Sequence, residues 1–317
     1  MIEEVKKIEC FHTTPPDDVF ICCASWEERC LGTLRIFSDY MFRNGYLFVY
    51  DDPNEQREYH LREMRAILGT AGTFDEISTS KDNPIPAISQ LKESLSSLNL
   101  THGKSVITID ITTFTKRHLL FLLRAIDDIG MWHSLRLFYS EPENYKADLY
   151  LPMSAGIRQI STIPGFVGTQ PLTKPSLLVI FLGYEGDRAT ALFENLDPNE
   201  VILVVPEPPY HEEWRGRTED MNRHLITLIG EERIEYADSR DPFIVASDIE
   251  RIIQDYNVND WHLCFAPLGT KPQTLGIYLF WRKHKGECSL IYAQPLKHNP
   301  RFYSTGIGKT WSLLNPE

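Results

Sequence analysis

The dipeptide Thr115-Lys116 stands just past the apolar run Ser105-Val106-Ile107-Thr108-Ile109-Asp110 and opens an apolar helical pattern. Thr270-Lys271, 155 residues later, does the same after Trp261-His262-Leu263-Cys264-Phe265-Ala266. The match extends to both sides. Val19-Phe20-Ile21-Cys22-Cys23-Ala24 leads into Ser25-Trp26-Glu27-Glu28-Arg29, as Leu177-Leu178-Val179-Ile180-Phe181-Leu182 leads into Gly183-Tyr184-Glu185-Gly186-Asp187-Arg188. Leu47-Phe48-Val49-Tyr50 before Asp51-Asp52-Pro53 corresponds to Ile202-Leu203-Val204-Val205 before Pro206-Glu207-Pro208. Leu135-Arg136-Leu137-Phe138-Tyr139 corresponds to Ser289-Leu290-Ile291-Tyr292, and Ser154-Ala155-Gly156-Ile157 to Ser304-Thr305-Gly306-Ile307. A repeat with its landmarks in one order requires the same architecture twice. The expected copies are residues 1–165 and 166–317, joined through the segment 143–175 with its Gly and Pro residues.

Within each half, short apolar runs alternate with 3.6-period patterns. Strands are expected near 18–24, 46–51, 74–79, 104–111 and 134–140, with helices near 27–40, 55–69, 84–99 and 116–129. The second half repeats this with strands near 177–182, 201–205, 232–237, 259–266 and 288–293, and helices near 186–196, 211–229, 243–257 and 272–284. The expected fold class is therefore α/β: two tandem doubly wound Rossmann-like domains related by internal duplication. In the strand order 3-2-1-4-5 a crevice opens between strands one and four, and ligands of open α/β sheets bind there, outside the carboxyl ends of the strands. The repeated polar motifs follow those two strands.

Composition excludes several classes. Lys plus Arg is 32 against Asp plus Glu 44, a formal charge of −12, and a field of that sign repels nucleic-acid backbones, so non-specific nucleic-acid binding is not expected. Cys10, Cys22, Cys23, Cys30, Cys264 and Cys288 show no CxxC or Cys/His zinc spacing, which reads as a reducing, cytoplasmic compartment with no metal site. The first thirty residues hold no secretory leader, and no run reaches the ~18 to 20 apolar residues of a membrane span, so no membrane partner is expected.

The motifs suit anionic ligands. A helix N-terminus presents unpaired N–H groups and a positive dipole end, so Thr115-Lys116 and Thr270-Lys271 offer hydroxyl, ammonium and amides together, a combination fit for phosphate. The plainer alternative is a Thr cap followed by a solvated lysine. Gly269 permits close backbone approach in the second copy, whereas Phe114 stands at that place in the first, able to stack on a base or fill a wall. Arg29 and Arg188 could grip phosphate or base edges bidentately, with Glu27 or Glu185 accepting from ribose or an amino group, or each could pair locally in a first helical turn. Trp26 and Tyr184 could stack on a base or pack at the rim of the core.

Catalytic signatures are missing: there is no Walker loop, GxGxxG, GxSxG or HExxH, and no cofactor motif. Asp110 is the best single carboxylate, but Ala266 or Pro267 replaces it in the second copy, so no symmetric acid–base pair can be drawn and no catalytic residue is assigned.

At these residues the chain resembles the CRISPR-associated Rossmann-fold (CARF) domains and their relatives, the SAVED domains of prokaryotic antiviral defence. Ile109-Asp110-Ile111-Thr112-Thr113-Phe114-Thr115-Lys116 resembles the CARF strand-four motif of Asp or Asn, Thr, two glycines, Thr and Lys, and Leu268-Gly269-Thr270-Lys271 resembles its second half. The first copy lacks the double glycine and the second lacks the acid. The resemblance implies recognition of a cyclic oligonucleotide across a two-fold pair of domains, which a duplication supplies in one chain. It implies a sensor that signals through a partner protein or an enzyme that cleaves the signal; a structural adaptor of a defence complex is the third reading.

Overall fold

A computed structural model describes residues 2–5, 16–36, 40–146, 152–169, 173–256, 260–284 and 286–314. Cys10, residues 37–39, 257 and 259 of the expected elements, and residues 147–151 and 170–172 of the expected join lie outside the described residues. The chain forms two compact units, Met1–Tyr145 with Tyr303–Glu317, and Lys146–Phe302.

The first unit is a mixed α/β layer around a seven-stranded sheet. Its strands are β1 (Glu3–Glu4), β2 (Asp17–Ala24), β3 (Phe42–Tyr50), β4 (Thr73–Thr79), β5 (Ile107–Asp110) and β6 (Leu135–Ser140), and, from the far end of the chain, β15 (Thr310–Leu314). The order is β1-β15-β6-β5-β2-β3-β4, with β4, β3, β2, β5 and β6 parallel and β15 antiparallel to β6. A small ladder pairs β7 (Asn144–Tyr145) with β14 (Ser304–Thr305). The helices are α1 (Gly32–Ile36), α2 (Glu55–Ala71), α3 (Ile85–Ser97) and α4 (Lys116–Asp128). The stripe Leu119, Leu120, Leu123 and Ile126 of α4 is fully buried, as its period predicts. Truncating one such leucine costs about 2–5 kcal/mol.

The second unit has a six-stranded sheet with order β11-β10-β9-β12-β13-β8. Its strands are β8 (Ser154–Thr162), β9 (Ser176–Phe181), β10 (Glu200–Pro206), β11 (Ile234–Ala237), β12 (His262–Pro267) and β13 (Cys288–His298). Here β9 to β13 run parallel, and β8 is antiparallel to β13. Its helices are α5 (Gly186–Leu196), α6 (Arg217–Met221), α7 (Arg223–Ile229), α8 (Pro242–Ile252) and α9 (Lys271–Lys283). Both sheets thus have five parallel strands in the order 3-2-1-4-5 followed by an antiparallel strand, β8 at the edge of the second sheet and β15 in the first, where β1 lies outside it. In both the order reverses beside the first parallel strand.

The antiparallel strands move the expected boundary. β8 follows β6 in sequence yet pairs with β13, while β15 follows β13 yet pairs with β6. Each unit takes its sixth strand from the segment that trails the fifth strand of the other. Residues 146–165 therefore belong to the second unit and 303–317 to the first, in place of a division at 165/166.

Three expected helices are shorter than predicted, and the one expected over 243–257 ends at Ile252. The 27–40 pattern becomes a 3₁₀ turn, Glu28–Leu31, and the five-residue α1. Gly32 joins them where a Cβ would meet the Ser140 Oγ at 2.4 Å, so only glycine lets this turn lie against β6. The 211–229 pattern divides at Asn222, whose side chain donates to the Thr218 and Gly183 carbonyls, 2.7 Å each.

Candidate functional site

The carboxyl edge of the first sheet is laced together by the residues that the sequence marks. The turn after β5 starts at Asp110, whose carboxylate accepts from the Thr112 N–H at 2.9 Å; burial raises its pKa. The Thr112 hydroxyl oxygen accepts from the Ser140 N–H (2.9 Å), and the Thr113 hydroxyl donates to the Cys23 carbonyl (2.6 Å), which ties the turn to the ends of β6 and β2. Thr112 is 0% exposed and Thr113 7%. Phe114 is fully buried with its ring edge-to-face on Phe48 at 5.2 Å, so it fills a wall and offers no face to a base.

Thr115 caps α4, accepting from the His118 N–H. Its own N–H donates to the Tyr50 hydroxyl oxygen at 2.9 Å. The imidazole of His118 spans two threonines, with Nδ1 2.7 Å from Thr115 Oγ1 and Nε2 2.9 Å from Thr79 Oγ1. Burial holds its pKa down at about 3, so it is a neutral ring fixing α4 to the end of β4. Lys116, the first residue of α4, is half-buried.

Beside this cap lies a cation and aromatic cluster that no motif announces. The Lys81 ammonium sits 3.8 Å above the Trp26 ring and 5.2 Å from the Tyr50 ring, and it pairs with Asp52 at 2.9 Å. Burial lowers its pKa and Asp52 partly restores it. Trp26 also meets the Tyr303 ring at right angles, 6.2 Å between centroids.

Glu27 and Arg29 turn inward. Arg29 is 1% exposed and Glu27 6%. The guanidinium is ion-paired with Glu27 and donates to the Ser140 carbonyl (2.9 Å), the Tyr139 hydroxyl (3.4 Å) and Ser304 Oγ (3.3 Å). Burial alone would lower its pKa, but the Glu27 carboxylate, together with the Tyr139 and Tyr145 hydroxyls, raises it and holds it charged.

The second unit repeats the plan with other residues. Thr270 caps α9 in a full capping box with Gln273, and its hydroxyl donates to the Ser239 carbonyl at 2.8 Å. Gln273 is fully buried and fills the place of His118, its Nε2 lying 3.5 Å from the Ala237 carbonyl at the end of β11. Lys271 is half-buried at the start of α9. A Cβ on Gly269 would meet Gln273 Oε1 at 2.1 Å and the Leu182 carbonyl at 3.2 Å, and one on Gly183 would meet the Leu268 carbonyl at 2.4 Å. These glycines let the turns after β9 and β12 touch, so the close approach that Gly269 allows is to the chain itself.

Arg188 is 3% exposed and pairs with Glu185 at 2.5 Å. Its Nε and Nη2 donate to the Ala293 carbonyl at 2.8 and 2.6 Å, and it lies 4.8 Å from the Tyr292 ring centroid. Glu185 in turn accepts from the Ser154 hydroxyl. Tyr184 is half-buried under the Arg217 guanidinium, 4.8 Å away, and burial pushes its hydroxyl up to about 12.

The structure therefore brings Trp26, Thr115 and Lys116 to one edge and Tyr184, Gly269, Thr270 and Lys271 to the other. It takes Glu27, Arg29, Thr112, Thr113, Glu185 and Arg188 into internal bonds. Lys81, Tyr50 and Tyr303 are additions that only packing reveals. Among the described residues no cluster of His, Cys, Asp or Glu could hold a metal, and no helix is long and apolar enough to cross a membrane.

Comparison of the sequence with protein-family models gives no match, and comparison with curated proteins gives none. Among solved structures, the chain is similar to the cytoplasmic domain of a prokaryotic cation chloride cotransporter at 12% identity and TM-score 0.26, over 88% of this chain and 96% of that one. A-type ketoreductases from a modular polyketide synthase match at 12% identity and TM-score 0.22, over 87% of this chain and 79% of theirs.

Proposed function

We propose that this chain binds a small nucleotide at the carboxyl edges of its parallel sheets, and that the ligand is a cyclic oligonucleotide. In this reading it is a cytoplasmic sensor of prokaryotic antiviral defence that reports binding to a partner protein. The observation that carries the proposal is the placement of Thr115-Lys116 and Thr270-Lys271. Each pair is the cap and first residue of the helix that follows the fourth strand, in sheets of the same order. A lysine in a first helical turn opposes the dipole by about 0.3–1 kcal/mol, and an anion bound between ammonium and amides reverses that sign. The shared strand order also supports descent of both units from one duplicated Rossmann-like domain.

Trp26 supplies an aromatic face beside the first helix start, with Lys81 as a second cation. Asp110, the single acid on which cleavage of the ligand would rely, is 2% exposed and accepts from the Thr112 N–H, which favours binding over cleavage.

The test is thermal unfolding of wild type and a Lys116→Ala/Lys271→Ala double variant against cyclic di-, tri-, tetra- and hexanucleotides, NAD, ADP-ribose and ATP. A ligand at 100 times its dissociation constant adds about 2.7 kcal/mol. The expected result is a wild-type shift that the double variant loses. Silence from every nucleotide would refute the proposal and leave the adaptor reading.

A further inference from the structure

The segment Tyr303–Lys309 runs across the carboxyl edge of the first sheet between two anchored parts. On one side β14 pairs with β7, and on the other β15 pairs with β6. Between them the Gly308 N–H donates to the Glu141 carbonyl (2.8 Å), and the Glu141 N–H donates to the Lys309 carbonyl (2.8 Å). Two glycines allow this fit. Gly306 has φ +67° and a Cβ there would meet the Glu143 Cβ at 2.8 Å, while one on Gly308 would meet the Pro142 carbonyl at 2.9 Å. From this segment Ser304 donates to Glu27 and its Oγ accepts from Arg29, and Tyr303 lies against Trp26.

These contacts have a common effect: they cover the arginine that follows the first strand. We infer that Tyr303–Lys309 is a latch, holding Arg29 against Glu27 and Ser304, and that it lifts to let the phosphate of a nucleotide take the place of Glu27 on Arg29. The inference rests on the proposed nucleotide site and adds its regulation. Arg29 already reaches the Ser140 carbonyl and the Tyr139 hydroxyl at the end of β6, so the guanidinium stays oriented over the sheet edge when Glu27 is exchanged for another anion. A planar guanidinium pairs with phosphate as readily as with carboxylate.

The same device is built a second time from a different stretch of chain. Ser154, the first residue of β8, donates to Glu185, which pairs with Arg188, and Arg188 is held by the Ala293 carbonyl and stacked near Tyr292. Tyr139-Ser140 end β6, and Tyr292-Ala293 lie at the middle of β13, which runs on to His298. In both units a serine thus donates to the acid that pairs with the buried arginine, and in the first it also accepts from the arginine itself.

The test compares wild type with Ser304→Ala by hydrogen–deuterium exchange of the intact protein, with and without cyclic di-adenylate and cyclic tetra-adenylate, and by thermal shift with the same probes. A latch opens locally. Exchange at Gly308 and in peptides covering 303–309 should be faster than global unfolding allows. It should rise roughly tenfold in Ser304→Ala, the loss of one hydrogen bond to a charged group. Nucleotide should speed exchange in 303–309 while slowing it at α4, and Ser304→Ala should bind more tightly than wild type. Gly306→Ala, which lifts the same segment sterically, should act in the same direction. Nucleotide binding without faster exchange at 303–309, or with unchanged affinity in both variants, would overturn the latch and leave the binding site standing. Absence of binding in wild type and in both variants would overturn the nucleotide site and the latch with it.

Discussion

Ser304 donates a hydrogen bond to Glu27 across 277 residues of chain. Its counterpart, Ser154 to Glu185, crosses only 31. The difference in span is the mark of the exchanged antiparallel strands: the second unit receives its serine in β8, just before β9, and the first receives it in β14, after all of the second unit. In each unit the bond steadies a carboxylate whose partner is an arginine almost without solvent contact.

Glu27→Ala leaves the Arg29 charge buried and uncompensated, and should cost about 3–5 kcal/mol. Glu185→Ala should cost a similar amount through Arg188. Urea unfolding followed by tryptophan fluorescence measures both, and a loss under 1 kcal/mol in either would show that water reaches the arginine.

His118 gives the protein an acid limit. Its folded pKa of about 3 lies below the 6.5 of an exposed histidine, so the unfolded chain binds the extra proton first. The stability tied to the neutral ring is complete above about pH 6.5 and is lost as pH falls toward 3. The slope in that window approaches one proton, about 1.4 kcal/mol per pH unit. His118→Gln, which copies the residue of the second unit, should fold and remove that part of the slope; urea midpoints between pH 4 and 7 decide it.

Gly183→Ala should destabilise the second unit by about 1–3 kcal/mol, because its methyl group meets the Leu268 backbone carbonyl and not a side chain that can turn away. Exchange of amides in α5 and α9 should rise, while that of α2 and α4 stays as in wild type. Uniform change in both units would refute this.

Asp17 tests the opposite end of the first sheet. Its Oδ2 accepts from the Tyr40 and Thr108 hydroxyls and from Arg136 at 2.9 Å, at the amino ends of β2, β5 and β6. Asp17→Ala removes a buried ion-pair partner of Arg136 and the acceptor of two hydroxyls, and should lower stability by about 3–5 kcal/mol. The affinity for any nucleotide, measured at a temperature where the variant is folded, should not change, since the carboxyl edge lies at the far end of the strands.

The parallel strands and most helices were legible from the sequence because each is an apolar run or a 3.6-period stripe bounded by turn residues. The antiparallel strands were not. In β8, Ser-Ala-Gly-Ile-Arg-Gln-Ile-Ser-Thr is mostly polar and only one of its residues is buried, and Gly156 interrupts it at φ +64°. β15 is five residues long, and nothing local says that its partner is β6. The site divides along the same line. Caps such as Thr115 and Thr270 depend on neighbours three residues away and are readable. The fate of Arg29 depends on Ser304, and that of Lys81 on Trp26 and Asp52, which no spacing rule connects. His118 and Gln273 occupy the same place in their units with different chemistry, so matching residue types between the two halves does not pair them.

The order in which a ribosome makes this chain sets a requirement on its assembly. β6 is six buried residues long, and its outer edge has no partner until Thr310–Leu314 has been synthesised, after the whole second unit. Throughout that interval the nascent first unit carries an open, apolar sheet edge, the kind of surface that recruits another strand. Slow synthesis of the second unit therefore lengthens the time at risk, and the final residues of β15 act as the closing step for a domain whose other strands were made long before.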